Sequence, residues 1–278
     1  MLHLTTLHPQ PLYRFYVASI VPGGGGHSTV EIPMLSAVWP DLPHELDALL
    51  IAGDLQAIAS AHVPLASRLL SGISIAAELE TLADAELLCP CARTGVLLTG
   101  DLYTDLKLNK RGSTGDVQEV WEAFARRFRW VVGVAGNHDL FYGKNHCTLP
   151  RRGALHNAHL LNGDTVVLDG LRLAGVSGIV GPPHKPWRWE EGTYLNTIAH
   201  LLADNPHALL LHESPRSPNG AHPGRSNLTE TILGAEAPQM TISGHVYWEE
   251  PLVEADGFQF LNTEARMVYV TREAMTPL

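Results

Sequence analysis

Five short polar clusters hold the side chains that could do chemistry. They are Gly53-Asp54-Leu55-Gln56, Gly100-Asp101-Leu102-Tyr103-Thr104-Asp105, Gly136-Asn137-His138-Asp139, His212-Glu213-Ser214-Pro215 and Gly244-His245-Val246-Tyr247. Carboxylate, amide oxygen and imidazole together form a donor set for borderline divalent metals such as Mn²⁺, Fe²⁺ or Zn²⁺. A strand-terminal Asp alone is commonly a helix cap, and a lone His is more often a satisfied core or surface residue. Asn137-His138-Asp139 says more, because three polar side chains after an apolar run are costly to bury without partners. Five such clusters in order point to one site.

The elements that must position them come from the apolar pattern. Short runs at Leu49–Ala52, Val96–Thr99, Trp130–Ala135 and Ala208–Leu211 read as strands buried on both faces. The clusters follow such strands, and the carboxyl ends of strands in an open α/β sheet are where loops converge on a ligand. A glycine ahead of the functional residue would let the backbone turn sharply. Val117, Val120, Trp121, Phe124 and Phe128 have helical spacing, as do Leu195, Ile198, Leu201 and Leu202. A third helix is expected to start near Ser226 or Asn227, either able to cap it. Asp169-Gly170 and Asp256-Gly257, each between apolar runs, are hairpin signals. An alternating β/α first half and a hairpin-rich second half predict two stacked sheets with helices outside. Pro22–Ser28, with four consecutive glycines, reads as a surface loop; no Lys follows to make it a phosphate loop.

Bulk composition bounds the rest. The 278 residues, 45% hydrophobic and 17% charged, are ordinary for a globular chain and are read as a single domain over 1–278. A net charge of −10 argues against non-specific nucleic-acid binding, which needs Lys and Arg on phosphates. No run approaches the ~18 apolar residues of a membrane span. The start of the chain lacks a signal-peptide pattern, so a cytoplasmic protein is expected. Cys89, Cys91 and Cys147 have no framework spacing and read as reduced structural thiols.

The ordered clusters resemble the calcineurin-like metallophosphoesterases, whose pattern is Asp-x-His, Gly-Asp-x-x-Asp, Gly-Asn-His-Asp/Glu, a lone His, then Gly-His-x-His. The resemblance spans about residues 47–270, leaving 1–46 as an N-terminal strand and the Gly-rich loop. It implies an α/β (α+β) four-layer sandwich: two stacked mixed β-sheets flanked by helices. By this resemblance Asp101 bridges two metals, and Asn137, His212 and His245 complete the second site. Asp54 belongs to the first site. His138 is the acid that protonates the leaving oxygen or steadies the phosphate, held in position by Asp139. Two cations would neutralise a phosphate and lower the pKa of a bound water.

The chain departs from that pattern twice, with Gln56 and Tyr247 where the family has histidines of the first metal. Both are candidate weak first-site ligands. One tight metal (Mn, Fe or Zn) is therefore expected in the second site, and a weak or absent Mn or Mg in the first. On the substrate side, Pro182-Pro183-His184-Lys185-Pro186-Trp187-Arg188-Trp189 mixes cations with aromatics. His184 and Arg188 are candidate substrate contacts, and the alternative is a Pro-rich loop pinned by buried Trp rings. Arg111, Arg151 and Arg152 could form a basic rim, and Tyr103 and Asn109 are close enough in sequence to Asp101 to reach the crevice. The expected function is metal-dependent hydrolysis of a small phosphoester, a nucleotide among the candidates, with a phosphodiester favoured over a monoester. The competing readings are a degenerate member acting as a binding or scaffold module, and a nuclease.

Overall fold

The computed structural model describes residues 2–21, 26–142, 155–237 and 239–278. Its first sheet has seven strands in the order Thr6–Ile20, His27–Val38, Met267–Thr271, Ala48–Ala52, Thr94–Leu98, Trp130–Gly133 and Ala158–Leu160. The second has six, in the order Leu252–Ala255, Phe258–Asn262, Met240–Ser243, Ala208–Leu211, Leu171–Val176 and Asp164–Leu168. Both are mixed. In the first, Ala48–Ala52, Thr94–Leu98 and Trp130–Gly133 run parallel. In the second, Ala208–Leu211 and Met240–Ser243 do.

All five of these strands are buried at every position, which explains the apolar runs at Ala48–Ala52, Val96–Leu98, Trp130–Gly133 and Ala208–Leu211; Met240–Ser243 alone alternates, with Thr241 and Ser243. Their side chains still alternate between two cores. Leu49 and Ile51 enter the layer between the sheets with Leu210 and Ile242, whereas Leu50 turns outward to helices α1 (Ser71–Asp84) and α2 (Gln118–Ala125). On the far side Leu209 and Leu211 meet α3 (Glu191–Ala203) and α4 (Ser226–Leu233). The result is the expected four layers, helix–sheet–sheet–helix. Shortening a residue such as Leu210 to Ala would cost about 2–5 kcal/mol.

Both hairpins form as the Asp-Gly pairs predict. Asp169 and Gly170 have φ of 48° and 80°, Asp256 and Gly257 of 51° and 82°, all left-handed as a tight hairpin turn requires. Other expectations need correction. The N-terminal region is two long paired strands, and His27 and Ser28 already belong to the second; Pro22 to Gly25 lie outside the described residues. Helix α1 was not anticipated from the sequence, because its buried positions mix Gly72, Ile75, Ala76 and Leu79 without a clean apolar stripe. Arg225, not Ser226 or Asn227, is the N-cap of α4; Asn227 instead reaches Glu191 through its amide. Phe128 lies beyond α2 but packs on Phe124, ring centroids 5.8 Å apart. Cys89 and Cys91 are free thiols, pushed up in pKa by burial; Cys147 lies outside the described residues. Among the described residues no helix is long and apolar enough to cross a membrane.

Candidate metal centre

The carboxyl ends of the parallel strands of both sheets face one another, and the five clusters meet there. Side-chain bonds stitch the two sheets together at this edge. His212 Nδ1 lies 2.8 Å from the Thr99 carbonyl, Thr99 Oγ1 lies 2.8 Å from Thr263 Oγ1, and the His245 amide donates to Asp54 Oδ2 at 3.0 Å.

The residue after each leading glycine, rather than the glycine itself, makes the sharp turn in three of the clusters. Asp54, Asp101 and His245 all have left-handed φ, at 52°, 52° and 67°. Such backbone costs about 1–2 kcal/mol per non-glycine residue and is kept where the surroundings over-determine it. Glycine's main part is clearance: a Cβ on Gly136 would lie 2.0 Å from Asp101 Oδ1. Gly100 is the exception, with φ of 88° and no room for a Cβ beside the Gly136 amide.

Asp101, His212 and His245 present ligand atoms that all lie within 4.8 Å of one another, and they could hold a metal ion. His212 is fully buried and its Nε2 is 3.4 Å from Asp101 Oδ2. Because a carbonyl can only accept, the bond to Thr99 places a ring hydrogen on Nδ1 and leaves Nε2 as the ring atom that faces Asp101. That Nε2, like the enclosed Oδ1 of Asn137, has no hydrogen-bond partner. Leaving such atoms unpaired costs roughly 1–3 kcal/mol each. Two oxygens and two imidazole nitrogens converging in this way fit a borderline divalent cation. Among the side chains alone, burial opposes both charges of the Asp101–His212 pair, yet mutual attraction lowers the Asp101 carboxyl and raises the His212 imidazole. Burial and then repulsion from His212 push His245 down to about 4, which leaves it neutral and able to act as a ligand.

Asp139 turns its carboxylate onto the backbone. Its carboxylate accepts the amides of Gly136, Asp101 and Leu102, each at 2.8 Å, and among the described contacts none joins it to the His138 ring. It clamps the Asp101 loop to the Asn137 loop. His138 is half-buried, donates its amide to Asp101 Oδ1 at 2.9 Å, and has Thr114 Oγ1 3.5 Å from Nδ1. Burial lowers its pKa against the attraction of Asp101.

On the other side, Gln56 turns its amide Nε2 to Asp101 Oδ2 at 2.8 Å. Tyr247 does not join the centre. Its ring is 57% exposed and lies under the Arg266 guanidinium, 4.6 Å away. Glu264, missed in the sequence, stands beside Asp54. Burial and then the Glu264 and Asp101 charges raise the Asp54 carboxyl well above its usual range. No motif spacing marks Glu264; it is delivered by a sheet-to-sheet crossover.

The Trp-rich loop is pinned. Trp187 donates to the Asp139 carbonyl at 2.6 Å and Trp189 to the Ser177 carbonyl at 2.8 Å. Arg188, between them, is close enough to Asp101, His138 and His245 to act on their charges, and its Nη1 is enclosed without a partner. His184 is exposed. Tyr103 and Arg111 line a cavity of about 250 Å³ with Asp54, Gln56 and Glu264, while Asn109 is exposed; Arg151 and Arg152 lie outside the described residues. Glu213 is structural, accepting from Arg225 and the Val180 amide.

No protein-family model and no curated protein matches the sequence. Three solved structures share parts of its shape. One is 10% identical, covers 80% of this chain and 90% of its own, and has a TM-score of 0.48. A phosphopantetheinyl hydrolase from Mycobacterium tuberculosis is 12% identical over 78% of this chain and 88% of that one, TM-score 0.39. A protein of unknown function from Aquifex aeolicus is 12% identical over 80% and 95%, TM-score 0.33. The chemistry of the centre therefore rests on its own geometry.

Proposed function

We propose that the chain is a metal-dependent hydrolase of phosphoric esters. The observation that carries this reading is the pair of enclosed, unpartnered ligand atoms, Asn137 Oδ1 and His212 Nε2, beside Asp101 and His245. Asp101, Asn137, His212 and His245 would hold the tighter ion, and a bound divalent cation supplies a Lewis acid and a water of lowered pKa. The chain's own residues do the rest. The unpartnered Nη1 of Arg188 is placed to grip a phosphate oxygen, as a planar guanidinium does well. His138 gives a hydrogen bond to the phosphate or a proton to the leaving oxygen. Asp139 acts through the backbone, fixing where Asp101 and Asn137 point. A small phosphodiester remains the favoured substrate class.

A binding module without catalysis is the second reading, favoured by one contact: the Gln56 amide already occupies an Asp101 oxygen. Elemental analysis of the purified chain, with a panel of model phosphoesters assayed in Mn²⁺, Zn²⁺ and Mg²⁺, separates the two. The hydrolase reading expects bound metal and turnover that a chelator abolishes. Bound metal with no turnover of any ester in any of the three ions would favour the module.

A further inference from the structure

Tyr247, which turns away from the centre, is held where it points. Before it, the Asn262 side-chain amide donates to the Val246 carbonyl at 2.8 Å, and its oxygen accepts the Trp248 amide at 3.4 Å. After it, Trp248 is fully buried and donates its indole N–H to the Pro223 carbonyl at 2.9 Å. The Trp248 carbonyl accepts from Arg266 Nη2 at 2.6 Å, and the same guanidinium lies over the Tyr247 ring, 4.6 Å from its centroid. Buried anchors on both neighbours fix the backbone, and the cation steadies the ring. An aromatic ring with one face covered in this way offers the other for stacking.

The ring is 57% exposed and lines a cavity of about 730 Å³ between the N-terminal hairpin and the loop after His245. The hairpin contributes an apolar wall, with Leu7 and with Pro9, Pro11 and Pro33, whose nitrogens carry no hydrogen to donate. Glu31 and Ala265 line both this cavity and the one of about 250 Å³ that holds Asp54 and Gln56, so the two spaces adjoin. The α-carbons of His245 and Tyr247 are no more than about 7 Å apart, the reach of two residues of chain. A ring one short linker away from a phosphate at the centre therefore reaches Tyr247. Pockets for small organic ligands run to roughly 300–1,000 Å³, a range that includes the larger space and excludes the smaller.

Charge narrows the kind of ring. Glu249 and Glu250 stand at the cavity, and Glu31 is already paired with Arg14 at 2.7 Å. Arg266, the one cation among the described residues that line it, is committed to Tyr247 and the Trp248 carbonyl. An anionic group placed here would meet like charge.

We propose, resting on the phosphoester reading above, that this cavity is the subsite for the organic arm of the ester. It takes a flat ring without negative charge, stacked on Tyr247. The position that fails as a metal ligand is thus the one that reads the substrate.

Phosphonates test this without turnover, because their carbon–phosphorus bond is not an ester. Isothermal titration calorimetry measures the affinity of methylphosphonate and benzylphosphonate for the Mn²⁺-loaded full-length chain. Wild type should hold the benzyl compound about tenfold more tightly, the scale of one stacked ring. Tyr247→Phe should keep that advantage. Tyr247→Ala should lose it, with methylphosphonate affinity unchanged within roughly twofold, as for a surface substitution. A carboxyl group on the benzyl ring should cancel the advantage in wild type, and Glu249→Gln with Glu250→Gln should restore part of it. Equal affinity for methylphosphonate and benzylphosphonate in wild type overturns the subsite. So does a benzyl advantage that survives Tyr247→Ala in protein folded by circular dichroism; either result leaves the phosphoester reading standing. A carboxybenzyl compound bound as tightly as the benzyl one overturns the charge preference. Failure of both phosphonates to bind with Mn²⁺ present refutes the phosphoester reading, and the subsite with it.

Discussion

The two sides of the centre share Asp101 but differ in what their polar atoms bond to within the chain. On the Asn137–His212–His245 side, His212 is aimed by a backbone carbonyl, and two enclosed ligand atoms, Asn137 Oδ1 and His212 Nε2, make no hydrogen bond. On the Asp54–Gln56 side the polar groups already have one: Asp54 takes the His245 amide, and Gln56 spends its amide on Asp101. An ion entering between Asn137, His212 and His245 recovers roughly 1–3 kcal/mol for each orphaned atom, whereas one entering beside Asp54 and Gln56 must displace bonds worth about 1 kcal/mol each. Unequal affinity follows from that difference as much as from nitrogen against oxygen. A preorganised ligand set is held for the ion, and a self-satisfied one must be opened by it.

The largest effect should come from the residue that belongs to both sides. Asp101→Ala is expected to remove both ions and reduce turnover by more than roughly 10³-fold. The fold should persist, because Asp101 lies past the strand end. Activity within a few-fold of wild type, in protein folded by circular dichroism, would refute the assignment of the centre. Next, His138→Ala should lower kcat by roughly 10²–10⁴-fold while metal content stays the same. The loss should shrink for nitrophenyl esters, whose leaving group needs little protonation. Equal losses on alkyl and aryl esters would assign His138 to phosphate binding instead.

A smaller effect tests the substrate side. Arg188→Ala should lower kcat/KM by roughly 10–100-fold, the worth of a charge-assisted bond to phosphate, with both ions retained. Unchanged kinetics would return Arg188 to the role of loop scaffold, with Trp187 and Trp189. The smallest effect is expected on metal affinity at Tyr247, whose ring lies out under Arg266. Tyr247→His alone should alter Mn²⁺ affinity by less than roughly twofold, within the error of a surface change. A new tight site in that variant would show that position 247 can turn inward, and would erase the contrast between the two sides.

Much of this was legible in the residues. Buried parallel strands announce themselves as unbroken apolar runs, and Asp-Gly pairs impose the left-handed turns of a hairpin whatever surrounds them. The second-side donors were legible too, because each lies within four residues of the end of a buried parallel strand. Helix α1 was hidden, since its buried face is made partly of Gly and Ala. The role of Asp139 was also hidden. Sequence adjacency suggests a partner for His138, but the chain turns its carboxylate back onto three backbone amides.

By itself, then, the sequence determined the strand ends, the turn positions and the kinds of donor gathered there, because those depend on local pattern and side-chain chemistry. Tertiary structure alone decided which atoms meet. Tyr247 and Glu264 show this most plainly: one sits where a motif would put a ligand and turns away, while the other has no motif and is carried in. The pairing of Ser243 with Asn262, and of Ala52 with Met267, brings Glu264 to the cavity that Asp54 also lines. Strand register between segments far apart in the chain sets that placement, and no spacing within one cluster can encode it.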